Sequence, residues 1–173
     1  IHGATYTSGA VLCPQQIGLA ATWHPDLVRQ GAENTAKEVA ASGIPWNFSP
    51  VLDLGRDPRW PRFWETFGED PLLASEMGVA MVKGYQEGPS PIGATLKHFM
   101  GYGLALSGKD RTPSWIPERQ LREYCMPSFQ AAIDAGALSV MINSGEINGI
   151  PVHANRTILT DMLRGEMGFE GVA

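Results

Sequence analysis

Four short runs of strand-forming residues alternate with segments that have a helical pattern of apolar residues. This alternation constrains the fold more than any other feature of the chain. The runs span residues 46–53, 94–99, 137–143 and 169–173. Strands that alternate with helices form successive βαβ units around a parallel sheet. The sequence therefore predicts an α/β fold.

The predicted helices carry residues that favour helix starts and stops. Pro25 stands at a first helical position, and Gly43 follows the last apolar position of that segment. Asp70 is an expected N-cap before Pro71, and the second helix runs until Gly88. Two more helices are predicted over residues 118–134 and 160–166, each closed by a glycine within two residues.

The connections between these elements differ in length. The segments that lead from strand to helix are long, at 54–69 and 100–117, whereas those from helix back to strand are short. Long loops at the carboxyl ends of parallel strands form the functional face of a (β/α) barrel, and a doubly wound open sheet obeys the same rule. Periodicity does not choose between these two architectures.

The two ends of the chain indicate a part of a larger domain. Residues 1–10 resemble the tail of a strand with its loop, and the run 169–173 stops where a strand starts. An isolated strand edge of this kind has unpaired backbone groups that pair with other chains, and it is poorly stable. We therefore expect residues 1–173 to be an internal fragment of a domain, truncated at both ends.

Composition argues against several classes of function. The 173 residues are 43% hydrophobic, enough for a core, and 13 basic against 18 acidic residues give a net charge of −5. Lys and Arg form no cluster that tracks phosphates, and no apolar run reaches the roughly 20 residues of a membrane span, so we expect neither nucleic-acid nor membrane binding. Cys13 and Cys125 lack metal-ligand spacing and are expected to be buried free thiols. A neutral or polar small substrate, with no cofactor or metal, fits best.

The doublet Lys97-His98 ends the run 94–99, next to a glycine-rich segment and a loop that carries Arg111. An amine and an imidazole at the carboxyl end of a strand are typical of the rim of a polar-ligand site. Neighbouring strand residues point to opposite faces, so both side chains serve one ligand only if the backbone departs from strand geometry. We predict such a distortion, in the form of a non-proline cis peptide.

An inward-facing Lys97 needs a carboxylate, because an unpaired buried ammonium loses its proton or destabilises the fold. Asp53 and Asp110 are the candidates. The alternative is an ordinary strand with one side chain inward and the other outward, in which Lys97 extends along the surface.

The loop at 57–71 is rich in side chains that suit carbohydrate. It contains two Arg, two Trp, three Pro and four carboxylates. Guanidinium groups are directional donors to hydroxyls, and indole faces pack against the C–H faces of a sugar or against Arg. The alternative is a solvated loop that its Arg–Glu pairs merely hold in shape.

A further polar segment, 144–149, follows the third run. Glu146 is a candidate catalytic carboxylate, but one acid alone is not the pair that a glycosidase needs. Asn148-Gly149 is a turn signal. We therefore expect a structural role for Glu146.

Several blocks of this sequence, taken in order, resemble glycoside hydrolase family 3, in the branch of the β-glucosidases. They cover essentially the whole chain and lie at residues 56–71, 97–99, 109–111, 116–124 and 146–154. The resemblance implies a partial (β/α)8 TIM-like barrel, which an α/β sandwich domain normally follows in cis. It also implies retaining hydrolysis that releases terminal β-D-glucosyl residues from β-glucosides or glucan oligosaccharides.

The same resemblance implies which residues bind the sugar. By position, Arg62, Lys97, His98 and Arg111 are expected to donate hydrogen bonds to sugar hydroxyls in the subsite where cleavage occurs. Ser144 joins them, since it stands where many members have a Tyr that reaches the sugar. Charge-assisted bonds of this kind can strengthen as the ring flattens toward the transition state.

Departures from the family pattern bear on specificity. Pro61 replaces a Gly of many members, and some bacterial members that share Pro61 and Ser144 act on glucans such as xyloglucan oligosaccharides. Met100 and Tyr102 replace the Pro and His of the N-acetylglucosaminidase branch, and that branch's Asp-x-His dyad is missing from the loop. A β-xylosidase or N-acetylglucosaminidase of the same family is the alternative within this class.

The residues that break the glycosidic bond are expected outside 1–173. In the family the nucleophile is an Asp a few residues beyond the position of Ala173, the acid/base lies further downstream, and a sugar-binding Asp lies just before Ile1. We therefore expect no hydrolysis by this fragment alone, and a periplasmic or secreted parent. The alternative in another class is a non-catalytic carbohydrate-binding homologue.

Overall fold

The computed structural model describes residues 2–173, which form an α/β structure. Its helices are α1 (Gln16–Ala20), α2 (Pro25–Ala41), α3 (Pro71–Gln86), α4 and α5 (Thr157–Glu166). Helix α4 is continuous through three stretches, Glu118–Gln120, Leu121–Cys125 and Met126–Asp134, of which the middle one is wound as a π-helix. The strands are β1 (Thr95–Phe99), β2 (Ser139–Ile142), β3 (Glu146–Ile147) and β4 (Ile150–Pro151).

The helix signals in the sequence correspond closely to the structure. Pro25 is the first residue of α2, and the Asp70 carboxylate accepts hydrogen bonds from the backbone N–H groups of Leu72 and Leu73 at 2.7 and 3.0 Å. These contacts satisfy N–H groups that have no partner within the helix. The predicted helix starts are confirmed for α2, α3 and α4, whereas α5 begins three residues before the predicted position 160.

The central pairing is parallel. Thr95 and Leu96 of β1 pair with Ser139 and Val140 of β2. Single parallel pairings flank these strands, from Val51 to Lys97 on one side and from Val172 to Ser139 on the other. The predicted parallel order is therefore present, but the runs 46–53 and 169–173 contribute isolated pairings rather than strands.

Two other features depart from the expectations. Residues 2–10 are mainly turns, with one antiparallel pairing from Gly3 to Leu12, instead of the tail of a strand; Ile1 lies outside the described residues. Helix α1 is not among the predicted elements, because its five residues are too short to establish a helical pattern. Among the described residues no helix is long and apolar enough to cross a membrane.

The core lies between the helices and the parallel strands. Helices α2 and α3 pack so closely that a Cβ on Gly84 would lie 2.5 Å from the carbonyl oxygen of Arg29. The rings of Phe99 and Phe129 meet edge to face with centroids 5.1 Å apart, which joins β1 to α4. Cys125 is a buried free thiol whose pKa burial raises to about 12, whereas Cys13 is free but only half-buried, contrary to expectation.

Candidate functional site

The carboxyl end of β1 departs from strand geometry at the residues that the sequence singled out. The pairing register with β2 shifts between Lys97 and Phe99, and the Lys97–His98 peptide is cis, as is Phe99–Met100. The predicted distortion is therefore confirmed. Lys97 and His98 are each only 4% exposed, so Lys97 does not extend along the surface.

His98 is held from both sides of its ring. Its Nδ1 lies 2.7 Å from Oδ2 of Asp53, and its Nε2 lies 2.9 Å from Nη1 of Arg62. A guanidinium only donates hydrogen bonds, so Nε2 is the acceptor and the ring proton lies on Nδ1. The same Asp53 oxygen also accepts the backbone N–H of His98 at 2.9 Å, and this arrangement fixes the ring.

Arg62 reaches the ring because Glu65, one helical turn further along, holds its guanidinium as a fork. The Nε–Oε1 and Nη2–Oε2 distances are both 2.8 Å. Burial raises the pKa of Glu65, but the hydrogen bond and charge of Arg62, together with the charge of Lys97, outweigh burial and leave this pKa below its usual range. The pair is half-buried, with 24% and 17% of the two side chains exposed.

Lys97 lies beside this ion pair and beside Asp53. Burial lowers the pKa of Lys97 to about 8; the charge of Arg62 acts in the same direction, and the charges of Glu65 and Asp53 oppose it. Asp53 is thus one of the carboxylates that compensate Lys97, as expected. Asp110, the other candidate, instead accepts a hydrogen bond from the hydroxyl of Tyr102.

Tyr102 is a residue that the sequence reasoning did not identify as part of the site. Its ring meets the rings of His98 and Trp60 edge to face, with centroids 4.8 and 5.3 Å apart. Its hydroxyl donates a hydrogen bond to Asp110 and also interacts with the side chains of Ser144 and Arg111. Burial, followed by the bond to Asp110, raises the pKa of this hydroxyl. Its place between two glycines after β1 was the signal in the sequence.

The five predicted sugar-binding residues therefore fall into two groups. Arg62, Lys97 and His98 meet at the end of β1, and we call them the strand-end cluster. Arg111 and Ser144, which we call the loop pair, lie across Tyr102 on exposed segments. The Arg111 side chain is 71% exposed, and its Nε lies 3.9 Å from the Asp110 carboxylate.

Ion pairs hold the loop at 57–71 in shape, as one of the two interpretations of this loop predicts. They join Arg59 to Asp57 at 2.7 Å and Arg62 to Glu65, and the second pair also builds the strand-end cluster. Trp60 is 1% exposed and packs against Tyr102, so it is a core residue and not a free sugar platform.

Space for a ligand adjoins the cluster at Glu65. There an open cavity of about 330 Å³ is lined by Glu65, the half-exposed indole of Trp64 and residues near the amino terminus. The larger cavity, of about 680 Å³, lies between β2 and α5, and neither cavity is lined by any of the five predicted site residues. Within residues 2–173 no group of three or more His, Cys, Asp or Glu side chains is placed to hold a metal ion.

A small hairpin supports the loop pair. Strands β3 and β4 pair around Asn148 and Gly149, which confirms the turn expected there. The Asn148 side chain both accepts from the N–H and donates to the carbonyl of Ile116, each at 2.8 Å. Glu146 uses its backbone carbonyl to accept the N–H of Ser114 at 3.0 Å; its carboxylate makes no hydrogen bond to the described residues.

Curated proteins similar to this chain carry the names of glycosidases. The chain is 52% identical over 183 residues to a lysosomal beta glucosidase of Dictyostelium discoideum, with 100% of this chain and 22% of that protein covered. It is 40% identical to a beta-xylosidase of Formosa agariphila, covering 96% and 24%, and 39% identical to a periplasmic beta-glucosidase of Salmonella typhimurium, covering 92% and 21%. The chain thus spans less than a quarter of the length of these relatives.

Solved structures agree in fold. A β-glucosidase from intestinal bacteria that is involved in saponin metabolism superposes with a TM-score of 0.97 at 40% identity, covering 99% of this chain and 24% of the other. A mutant β-glucosidase from Listeria innocua in complex with laminaribiose gives a TM-score of 0.90 at 41% identity, covering 94% and 24%. The model of the glycosyl hydrolase family 3 N-terminal domain matches residues 1–173. The chain therefore belongs to glycosyl hydrolase family 3.

Proposed function

We propose that this chain supplies the sugar-binding face of a β-glucosidase that releases terminal β-D-glucosyl residues. The observation that carries the proposal is the convergence of Arg62, Lys97 and His98 at the carboxyl end of β1. Arg62 and Lys97 keep N–H groups that sugar hydroxyls can accept, whereas both ring nitrogens of His98 are already engaged, so His98 holds Arg62 instead of donating to the sugar. The Listeria relative in complex with laminaribiose supports a β-linked glucoside as the ligand.

The individual roles follow from the hydrogen-bond donors that remain unused on these groups. The Lys97 ammonium has three N–H donors and makes no hydrogen bond to the described residues, so all three are available to hydroxyls. The Arg62 guanidinium has five N–H donors. Glu65 accepts two of them and His98 accepts a third, which leaves two for the sugar. Arg111 and Ser144 would approach the same sugar from the opposite side of Tyr102.

For the architecture we propose a partial (β/α)8 barrel, of which residues 1–173 are an internal fragment. The parallel order of Val51, β1, β2 and Val172 supports this proposal, since it is the order that consecutive strands of a barrel have. So does the coverage of nearly all of this chain, but only 24% of the solved β-glucosidase from intestinal bacteria. The segments that precede and follow would complete the barrel and add a second domain.

For the reaction we propose retaining hydrolysis with a nucleophile and an acid/base outside residues 1–173. A retaining mechanism needs two available carboxyl groups about 5–5.5 Å apart. The carboxylates beside the strand-end cluster are already engaged: Asp53 by His98, Glu65 by Arg62, and Asp110 by Tyr102. None of the three is free to attack an anomeric carbon, so the fragment alone should not hydrolyse a glucoside.

The test is a panel of aryl β-glycosides given to the full-length protein and, separately, to residues 1–173. We expect the full-length protein to hydrolyse the β-glucoside fastest and the fragment to release no measurable aglycone. Hydrolysis by the fragment would overturn the assignment of roles. Binding of glucose without hydrolysis of any glycoside by the full-length protein would instead identify a non-catalytic carbohydrate-binding homologue.

A β-xylosidase is the second candidate, because one relative at 40% identity carries that name. Xylosides lack the hydroxymethyl group of glucosides, so the ratio of kcat/KM on the two aryl glycosides separates these candidates. A preference of tenfold or more for the xyloside would replace the β-glucosidase proposal. The N-acetylglucosaminide belongs in the same panel, where we expect the lowest rate.

We also propose a periplasmic or secreted location for the parent protein. The Salmonella relative is named a periplasmic β-glucosidase, whereas the Dictyostelium relative is named lysosomal. Fractionation of cells that express the complete gene, with activity measured in each fraction, tests this proposal. Activity confined to the cytosolic fraction would contradict it.

A further inference from the structure

Asp53 has an unusual environment for a carboxylate. Its side chain has no solvent exposure, and both of its hydrogen bonds, from the backbone N–H and the Nδ1–H of His98, reach the same oxygen, Oδ2. The other oxygen, Oδ1, is buried and has no hydrogen-bond partner in residues 2–173. A buried carboxylate without full pairing costs stability, so stability alone does not explain its place here.

The first consequence of this placement concerns the proton on His98. With Asp53 accepting from Nδ1, the ring presents the lone pair of Nε2 to Arg62 at 2.9 Å. In the other tautomer an N–H at Nε2 would oppose the N–H of Arg62, and the contact would become repulsive. Asp53 therefore keeps an acceptor at Nε2 of His98 for Arg62, whose guanidinium Glu65 also holds.

The second consequence concerns charge. The described groups whose charges act on Lys97 are Arg62, which opposes its proton, and Glu65 and Asp53, which favour it. Because Arg62 and Glu65 neutralise each other as a fork, the negative charge that remains for Lys97 is that of Asp53. From α4, the Cys125 thiol also lies in the field of Asp53; burial first, and then the charge of Asp53, raise the pKa of this thiol and keep it protonated.

We propose that Asp53 is a positioning residue of the sugar site with two separable roles: it fixes the tautomer of His98, and it supplies the charge that keeps Lys97 an ammonium donor. The proposal rests on the proposed function for its ligand. A nucleophilic role is excluded by burial, since no substrate atom reaches a side chain without solvent exposure. Asp53 acts on the sugar only through His98, Arg62 and Lys97.

Two substitutions in the full-length protein separate the roles. In Asp53→Asn the amide oxygen takes the place of Oδ2 and still accepts both N–H groups, so only the charge is lost. Asp53→Ala removes the charge and the acceptor. The exposed Asp134→Asn on α4 is the matched control, because it makes the same chemical change outside the site.

The readout is the pH profile of kcat/KM on an aryl β-glucoside. For Asp53→Asn we expect the alkaline limb to move down by about one pH unit, as for a group that loses an opposite charge nearby, with a loss below threefold at pH 6. For Asp53→Ala we expect a loss of roughly 10- to 100-fold at every pH. Equal losses in both variants with no shift of the limb would overturn the two-role proposal and leave a structural role.

A measurement on the unmodified full-length protein keeps the inference testable if a variant fails to fold or the protein hydrolyses no glucoside. The ¹⁵N NMR shifts of His98, assigned by comparison with His98→Gln, report which ring nitrogen carries the proton. We expect Nδ1 to carry the proton and Nε2 to be the acceptor. Protonation at Nε2 would overturn the role of Asp53 whatever the activity, whereas the absence of any glycosidase activity would overturn only the proposed function.

Discussion

The strand-end cluster and the loop pair differ in how they are built, although we propose that they serve one ligand. Lys97 and His98 are each 4% exposed; carboxylates compensate the charge of Lys97, and Asp53 and Arg62 bond the two ring nitrogens of His98. Arg111 is 71% exposed and has one weak ion pair. The cluster is thus organised before a sugar binds, and an organised donor binds at a lower entropic cost than a mobile one. This difference predicts that the strand-end cluster contributes more binding free energy than the loop pair.

The largest effect is expected for Lys97→Met, which keeps the length of the side chain and removes its three donors. Two charge-assisted bonds to a sugar are worth about 3–6 kcal/mol, so kcat/KM of the full-length protein should fall by roughly 10²-fold or more. The exposed Lys37→Met on α2 is the control and should retain full activity. A loss below tenfold for Lys97→Met would mean that the strand-end cluster does not contribute more to sugar binding than the loop pair does.

A second large effect is expected from pH alone. The pKa of Lys97 is lowered to about 8 by burial, so its ammonium is present below that pH and is lost as pH rises through it. Between pH 7 and pH 10, kcat/KM should fall by up to about 10²-fold, since only protonated Lys97 donates charge-assisted hydrogen bonds. An aryl β-glucoside assay across this range measures the fall, and a rate that stays constant to pH 10 would contradict it.

A smaller effect is expected for Tyr102→Phe, which keeps the ring against His98 and removes the hydroxyl that bonds Asp110. The hydroxyl also interacts with Arg62, but the bonds of Arg62 to Glu65 and His98 remain, so the cluster should stay in place while the loop pair loses its anchor. We expect a rise in KM of roughly tenfold with little change in kcat, in line with one lost hydrogen bond to a charged group. Tyr124→Phe is the matched control, because Tyr124 packs its ring on Arg56 instead. A large loss of kcat would show that Tyr102 also positions the cluster.

The smallest effect is expected for Arg111→Ala. Because solvent screens an exposed guanidinium, its loss should cost about 1 kcal/mol, or roughly fivefold in kcat/KM. Arg59→Ala, an exposed arginine paired with Asp57, serves as the control. A loss as large as that of Lys97→Met would remove the distinction between the two halves and would imply that the loop closes on the ligand.

Local signals in the sequence predict the helices and the distortion at Lys97-His98. Pro25 and Asp70 act within a few residues of themselves, so their roles follow from the chain alone. The distortion follows from a conflict between two adjacent polar residues and the alternation of a strand. The burial of Trp60 depends on packing against Tyr102, which no local pattern encodes.

In the candidate site, too, local contacts can be predicted from the sequence and long-range contacts cannot. Arg62 and Glu65 lie three residues apart, a spacing that allows an ion pair on one helical turn, so the Arg–Glu pairing considered for this loop follows from the local sequence. The contact between Arg62 and His98 joins residues 36 positions apart, and the role of Tyr102 depends on three loops meeting. Such contacts follow from the tertiary fold and not from any single segment.

The two hydrogen bonds between the Asn148 side chain and the backbone of Ile116 restrict which segments around the loop pair can be exchanged between relatives. Together with the pairing of Ser114 and Ile147, it joins the loop that carries Arg111 to the hairpin that follows Ser144. The two segments form one module, and replacing either by itself breaks its attachment to the other. An exchange of specificity between relatives should therefore succeed when both segments are transplanted as a unit.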